Sequence, residues 1–236
     1  MQPAEMRTAR PVVVLDVLGT LVDQAGSLRR QVADATGSGA DAAADVVGRW
    51  LDHVAAQERA IIAGRRPFAP SHELDREALD TLVRERMLPP DAATTLADAA
   101  ERLEPWPDTV AGVDRLAADV TVLGLSNASR RTLAGLGANA GLRWHRVLSA
   151  EDAATYKPAS GIYELALRSA PATSGTPVMV AAHAWDLRGA AAAGLRTAYV
   201  PRPDGDAPGP DDAFDLYATD LQDLHAQLLN VGAGTL

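Results

Sequence analysis

The most constraining stretch of this 236-residue chain runs from Pro11 to Asp23, PVVVLDVLGTLVD. Its apolar run, Val12 to Leu15, has the length of a strand buried on both faces and is too short for a helix. The run ends in a carboxylate, Asp16, and Gly19 and Thr20 follow at once. Open α/β sheets bind ligands at the carboxyl ends of their strands. Gly19 permits a sharp turn there, so Asp16 is expected on a sheet crest with the Thr20 hydroxyl beside it. Taken alone, the same pattern also fits a buried strand whose aspartate caps a turn.

After a loop over Asp23 to Ser27, the pattern from Leu28 to Met87 is helical. Val46, Val47, Trp50, Val54, Ile61 and Ile62 recur at near-helical spacing within Asp45 to Ala63, with Gln57, Glu58 and Arg59 read as facing out. Gly64 and the prolines of RRPFAP end that helix. Ser71 to Arg86 and Asp91 to Leu103 read as two more helices. From Pro105-Trp106-Pro107 onward, strands and helices alternate. Strands are expected at Val120 to Leu125, Val147-Leu148, Pro177 to Ala182 and Thr197 to Val200, and helices between them, with Gly194 as a C-cap. Such alternation implies a parallel sheet wound on both faces. The expected organisation is a doubly wound, Rossmann-like α/β core of residues 1–24 and 105–236, with 25–104 inserted as a helical cap domain.

Bulk properties exclude several classes of partner. A net charge of −9 argues against nucleic acid and anionic membrane. With no cysteine, thiolate catalysis, disulfides and Cys-ligated metals are excluded. The N-terminal MQPAEMRTAR has no apolar h-region of a signal peptide, and no apolar run has membrane-spanning length, so a cytoplasmic protein is expected.

Polar groups recur at the strand ends: Asp16 with Thr20, Ser126 with Asn127, Lys157 beyond the third strand, and Asp186 beyond the fourth. In a parallel sheet all of these ends share one edge, so the groups can converge on one pocket. Each also has a plain structural reading. Ser126, Asn127 and Asp186 can cap helices, Lys157 can be a surface lysine, and Tyr163 a core aromatic.

The order of these segments resembles the haloacid dehalogenase superfamily, and within it the (S)-2-haloacid dehalogenase (type II) subfamily. DVLGTLVD, LSNAS, SAEDAATYKPASGIYELA and AAHAWDLRGA resemble its four motifs in sequence order. The resemblance implies that Asp16 is a nucleophile that displaces a substituent from the substrate α-carbon to form an ester. Lys157 would keep Asp16 ionised. Thr20, Ser126 and Asn127 would orient the carboxylates, and Asp186 would position or activate the hydrolytic water. Tyr163 matches a tyrosine of the family's pocket, and Trp185 belongs to the fourth motif. The implied substrate is a small 2-substituted carboxylic acid, with no metal and no cofactor. A homodimer is implied by the same likeness.

Most of the superfamily are magnesium-dependent phosphatases with a second aspartate two residues after the nucleophile. Here that position is Leu18, which can neither donate a proton nor bind a cation, and the fourth motif offers a single acid, Asp186. Two departures touch the dehalogenase pattern itself. The arginine that should follow the cap tryptophan and receive the halide is replaced by Leu51, while Arg49 precedes Trp50; Arg65 and Arg66 are further cap candidates. Where the family's fourth motif has serine and asparagine, this chain has Ala181 and His183, an imidazole able to act as base, proton donor or substrate contact, or to be merely structural. Substrate contacts are therefore expected from Leu18, Asn127, Arg49, Leu51, Tyr163 and Trp185. Catalytic roles fall to Asp16, Lys157, Asp186, Thr20, Ser126 and His183. Ring opening of a strained cyclic amino acid such as azetidine-2-carboxylate, phosphate or phosphonate hydrolysis, and a non-catalytic small-anion binder are the alternatives.

Overall fold

The computed structural model describes residues 10–233. The N-terminal MQPAEMRTA, read above for a leader, and residues 234–236 lie outside the described residues. Eight strands run through it: β1 (Val12–Asp16), β2 (Val22–Asp23), β3 (Glu104–Pro105), β4 (Thr121–Ser126), β5 (Arg146–Ser149), β6 (Val178–Ala181), β7 (Arg196–Tyr199) and β8 (Leu216–Tyr217). Six of them form one parallel sheet in the order β5-β4-β1-β6-β7-β8. Order reverses beside β1, which lies between β4 and β6, so the end of β1 is the switch point at which such sheets bind ligands.

The helices are α1 (Gln24–Thr36), α2 (Ala40–Ile62), α3 (Ser71–Arg84), α4 (Pro90–Thr95), α5 (Thr109–Asp119), α6 (Arg130–Ala140), α7 (Ala150–Ala153), α8 (Ser160–Ser169), α9 (Ala184–Ala192) and α10 (Leu221–Ala233). Side chains alternate across a strand, and β1 shows it. Val13 and Leu15 pack with Val113, Leu116, Leu221 and Leu224 of α5 and α10. Val12 and Val14 pack with Ile162, Tyr163 and Leu187 of α8 and α9. Both faces of the sheet are thus covered, which is why the run before Asp16 is uninterruptedly apolar.

Helices α1 to α4 form the helical cap between two core segments. The chain enters along β2 and returns along β3, which pair antiparallel with Val22 opposite Pro105 and Asp23 opposite Glu104. Trp50, on α2, is buried inside the cap, and its indole N–H donates to Asp75 Oδ1 of α3 at 2.8 Å. A buried indole needs such a partner. Across to the core, the Ser129 N–H donates to Ser71 Oγ at 2.8 Å and the Tyr156 hydroxyl to the Ala69 carbonyl at 2.6 Å.

Three local expectations are corrected. The stretch Asp23 to Ser27, read as a loop, begins α1, because Asp23 Oδ1 accepts the Gly26 N–H at 2.8 Å and caps it. Asp91 to Leu103, read as one helix, breaks after Thr95 and resumes as a 3₁₀ turn over Ala99–Arg102. There the Thr94 and Thr95 hydroxyls bond back to the carbonyls of Pro90 and Asp91, and Arg102 takes the Thr95 carbonyl. Helix α9 starts at Ala184 rather than Leu187, since Asp206, distant in sequence, accepts the first two N–H groups: Ala184 through its carbonyl at 2.9 Å and Trp185 through Oδ2 at 2.9 Å.

Candidate active site

Asp16 ends β1 and is 6% exposed. The turn beyond it is closed by the Leu21 N–H to the Val17 carbonyl at 2.9 Å and the Gly19 N–H to the Val22 carbonyl at 3.1 Å. Gly19 adopts φ +80°, a left-handed conformation that favours glycine. The same turn is fixed from outside. Trp106 Nε1 donates to the Gly19 carbonyl at 3.0 Å, and Arg202 Nε, stacked over Trp106, donates to the Thr20 carbonyl at 2.9 Å. The Thr20 hydroxyl is thereby aimed at Asp16 Oδ2, 2.6 Å away, while it accepts the Ala182 N–H at 2.9 Å. A hydroxyl has one proton; since Ala182 N–H supplies its own, the Thr20 proton goes to the carboxylate.

Lys157 approaches from the segment between α7 and α8. Its Nζ donates to Asp16 Oδ1 at 2.9 Å and to Asp186 Oδ2 at 2.7 Å. Asp186 Oδ1 accepts the Tyr163 hydroxyl at 2.7 Å. Lys157, Asp186 and Tyr163 are all buried. Burial alone would lower the Lys157 pKa, but the two carboxylates outweigh it and hold the ammonium above its ordinary value. Burial, with the charge of Asp16 added, pushes Asp186 above the ordinary carboxylate range against the pull of Lys157 and Tyr163. The Tyr163 phenol is pushed up by burial and by Asp186, and stays protonated as a donor.

Above this cluster lies a cavity of about 240 Å³ between core and cap. That is below the roughly 300–1,000 Å³ of sites for drug-sized ligands and suits a small molecule. Asp16, Leu18, Asn127, Lys157 and Trp185 line it from the core, and Leu51, Val54, Ala55, Glu58 and Asp75 from the cap. Burial pushes Glu58 up to about 8, against a hydrogen bond from Asn127, and pushes Asp75 up to about 6, against the bond from Trp50.

The expected residues divide into three groups. Asp16, Leu18, Asn127, Leu51, Lys157 and Trp185 meet at the cavity. Thr20, Asp186 and Tyr163 stand behind it, holding Asp16 and Lys157 rather than facing a substrate. The buried Ser126 hydroxyl accepts the Ala128 N–H at 3.1 Å and shapes the turn after β4. The rest are elsewhere. Arg49 reaches out to Glu85 at 2.8 Å with its side chain 59% exposed, because two residues along a helix turn it some 200° away from Leu51. Arg66 is held by Glu77 and Gln57, and Arg65 is exposed. His183 stacks on Trp185 at 5.9 Å and packs beneath Gly19, outside the cavity wall. Glu58, expected to face out, faces the cavity instead. It lies seven residues after Leu51, two turns further along the same face of α2, and that spacing was the available signal.

The donor set fits poorly with a hard cation. Both Asp186 oxygens are engaged by Tyr163 and Lys157, and the ammonium itself bridges the two carboxylates that a magnesium ion would have to share.

A buried carboxylate ends the switch-point strand of a parallel sheet and is roofed by an inserted helical cap. The family model for haloacid dehalogenase-like hydrolases matches residues 11–194, and the chain belongs to that family. It is 32% identical over 133 residues to an (S)-2-haloacid dehalogenase of Pseudomonas sp. (strain YL); the match covers 53% of this chain and 56% of that relative's length. Among solved structures it resembles the L-2-haloacid dehalogenase PA0810, with a TM-score of 0.83 and 32% identity over 94% of this chain and 99% of the other. It also resembles the defluorinating L-2-haloacid dehalogenase Rha0230, with a TM-score of 0.82 and 31% identity over 93% and 95%.

Proposed function

We propose that this protein is a metal-independent hydrolase of the 2-haloacid dehalogenase type. It acts on a small 2-substituted carboxylic acid and yields the 2-hydroxy acid. Asp16 attacks the α-carbon with a carboxylate oxygen while the bond to the leaving group breaks and its electron pair departs as the anion. Water then adds to the carbonyl of the aspartyl ester. The alkyl oxygen leaves as the product hydroxyl by taking one water proton, one oxygen from water stays in Asp16, and the second proton is released to solvent as the carboxylate re-forms. Lys157 holds the attacking carboxylate in place, and Asp186 takes up the proton of the hydrolytic water through the Lys157 pair.

The observation that carries this reading is the clamp on Asp16. One oxygen accepts from Thr20 and the other from Lys157, and its accessible side opens into the cavity. Leu18, in the position where a phosphatase carries its general acid, lines that cavity and offers no proton. The likeness to named haloacid dehalogenases supports the same choice of chemistry. We propose the domain boundaries 24/25 and 104/105, which are supported by the β2–β3 pairing of Asp23 with Glu104 beside them. We also propose a cytoplasmic location and a homodimeric state, the latter testable by sedimentation.

The direct test is intact mass after incubation with L-2-chloropropionate in ¹⁸O-water, with Asp16→Asn as control. The expected result is chloride release with label accumulating in Asp16 over successive turnovers. Release without label in the protein would replace the ester with direct attack by water. No release would return the substrate to the alternatives of a cyclic amino acid or a phosphate ester.

A further inference from the structure

No cap cation faces the cavity among the described residues, yet a departing halide carries full negative charge. Leu51 fills the wall where a cationic acceptor is missing, and Glu58 continues that wall two turns along α2. The Glu58 carboxyl is oriented by the core. The Lys157 N–H, which can only donate, takes Asn127 Oδ1 at 2.9 Å. The Asn127 NH₂ is thereby turned to Glu58 Oε2 at 3.1 Å. One Glu58 oxygen is thus fixed by Asn127, itself oriented by the Lys157 backbone, and the residue keeps open surface on the cavity side.

We propose that Glu58 is the group that receives the departing α-substituent, presenting a neutral carboxyl O–H to it as the bond from Asp16 to the α-carbon forms. This rests on the dehalogenation reading above and names its missing part. With a halide the proton stays on Glu58, and the anion leaves hydrogen-bonded to it. The surroundings keep Glu58 neutral. Asp75 faces it from α3, Asn127 from the turn after β4, Lys157 and the Tyr156 phenol from the segment after α7, and Arg59 adjoins it on α2. Burial with the Asp75 charge outweighs the two cations and the amide, placing its titration at about 8. An ionised Glu58 would repel both the substrate carboxylate and the halide, so the device works below that pH.

Two measurements test it. First, chloride release from L-2-chloropropionate is followed from pH 6 to 10. Wild type is expected to lose about tenfold per unit above pH 8. Glu58→Gln, which keeps an N–H donor but cannot ionise, should hold its rate across that range within about fivefold of wild type at pH 7. Glu58→Ala should fall about a hundredfold throughout. Second, bromide binding to the resting enzyme is read by tryptophan fluorescence, Trp185 being in the cavity wall. Binding should weaken above pH 8 in wild type and be lost in Glu58→Ala. Chloride release that is unchanged in Glu58→Ala overturns the assignment while leaving dehalogenation intact. Bromide binding that depends on Glu58, with no turnover of the haloacid, overturns dehalogenation and with it the leaving-group role, leaving Glu58 as a halide-binding residue only. Neither turnover nor Glu58-dependent bromide binding overturns both.

Discussion

Lys157 Nζ lies 2.7 Å from Asp186 Oδ2, and each side chain is only 1% exposed. Burying such a pair is costly, and removing one partner costs more, because the other is left charged without a counterion. Here one ammonium serves two carboxylates, since Asp16 is 2.9 Å away on its other side.

Lys157→Met is therefore expected to destabilise the fold by about 3–5 kcal/mol, on the order of 10 °C in Tm for a chain of this size, besides abolishing turnover. Adding Asp186→Asn removes one orphaned charge and should recover part of the loss. Thermal melts of the single and double variants check this. Equal Tm for Lys157→Met and wild type would mean that the carboxylates are relieved by water.

Tyr163 and Gly189 form a second coupled pair. A Cβ on Gly189 would lie 2.6 Å from the Tyr163 hydroxyl oxygen, so Gly189→Ala must push the phenol away from Asp186. Tyr163→Phe removes the same hydrogen bond with little change of shape. A lost hydrogen bond to a buried charge costs about 1–3 kcal/mol, and kcat should fall on the order of tenfold or more. Both variants are expected to lower kcat by similar factors with little change in KM, because neither residue lines the cavity. A selective rise in KM would instead put Tyr163 against the substrate.

Much of this was readable from residue order. The run Val12 to Leu15 announces a doubly buried strand, and the polar groups at successive strand ends can converge because parallel strands share an edge. Asp16, Thr20, Lys157 and Asp186 meet as that logic allows, while Tyr163, named only by the family likeness, joins them from α8. What escaped was side-chain direction. Arg49 and Glu58 sit on one helix, and which of them faces the cavity depends on how α2 is rotated over the core. That rotation is reflected in contacts distant in sequence, such as the bond from Asn127 of the core to Glu58. The start of α9 was hidden for the same reason, its first N–H groups being satisfied by Asp206 across a long loop. His183, read as a candidate catalytic group from its place in the motif, is positioned beneath the Gly19 turn by packing that sequence spacing does not encode.

That packing is testable. A Cβ on Gly19 would lie 2.5 Å from His183 Nε2, and the backbone there has φ +80°. Gly19→Ala thus meets both a clash and a left-handed conformation that alanine disfavours by roughly 1–2 kcal/mol. Adding His183→Ala should remove the clash and leave the backbone cost. The double variant is expected to melt above Gly19→Ala and below His183→Ala. Strict additivity of the two substitutions would indicate that the imidazole swings aside freely.

Glu58 gives stability a pH dependence of definite sign. An unfolded glutamate titrates near 4.3, whereas burial places Glu58 at about 8 in the folded protein. Between those values the folded state binds more protons than the unfolded one, so stability falls as pH rises. The contribution is fully present below about pH 4.3 and is gone once pH passes 8. Asp75, pushed up to about 6, adds a decline of the same sign that is complete earlier. Replacing Glu58 with glutamine keeps the shape and the amide contact but removes the titration. Glu58→Gln and wild type should therefore melt within a degree or two of each other at pH 4.5, with a gap that favours the variant widening steadily from there to about pH 8. Since 1 kcal/mol is worth roughly 2–4 °C here, a difference of several degrees at pH 8.5 is expected in paired melts. A gap that stays constant from pH 4.5 to 8.5 would mean that Glu58 ionises as it does in the unfolded chain.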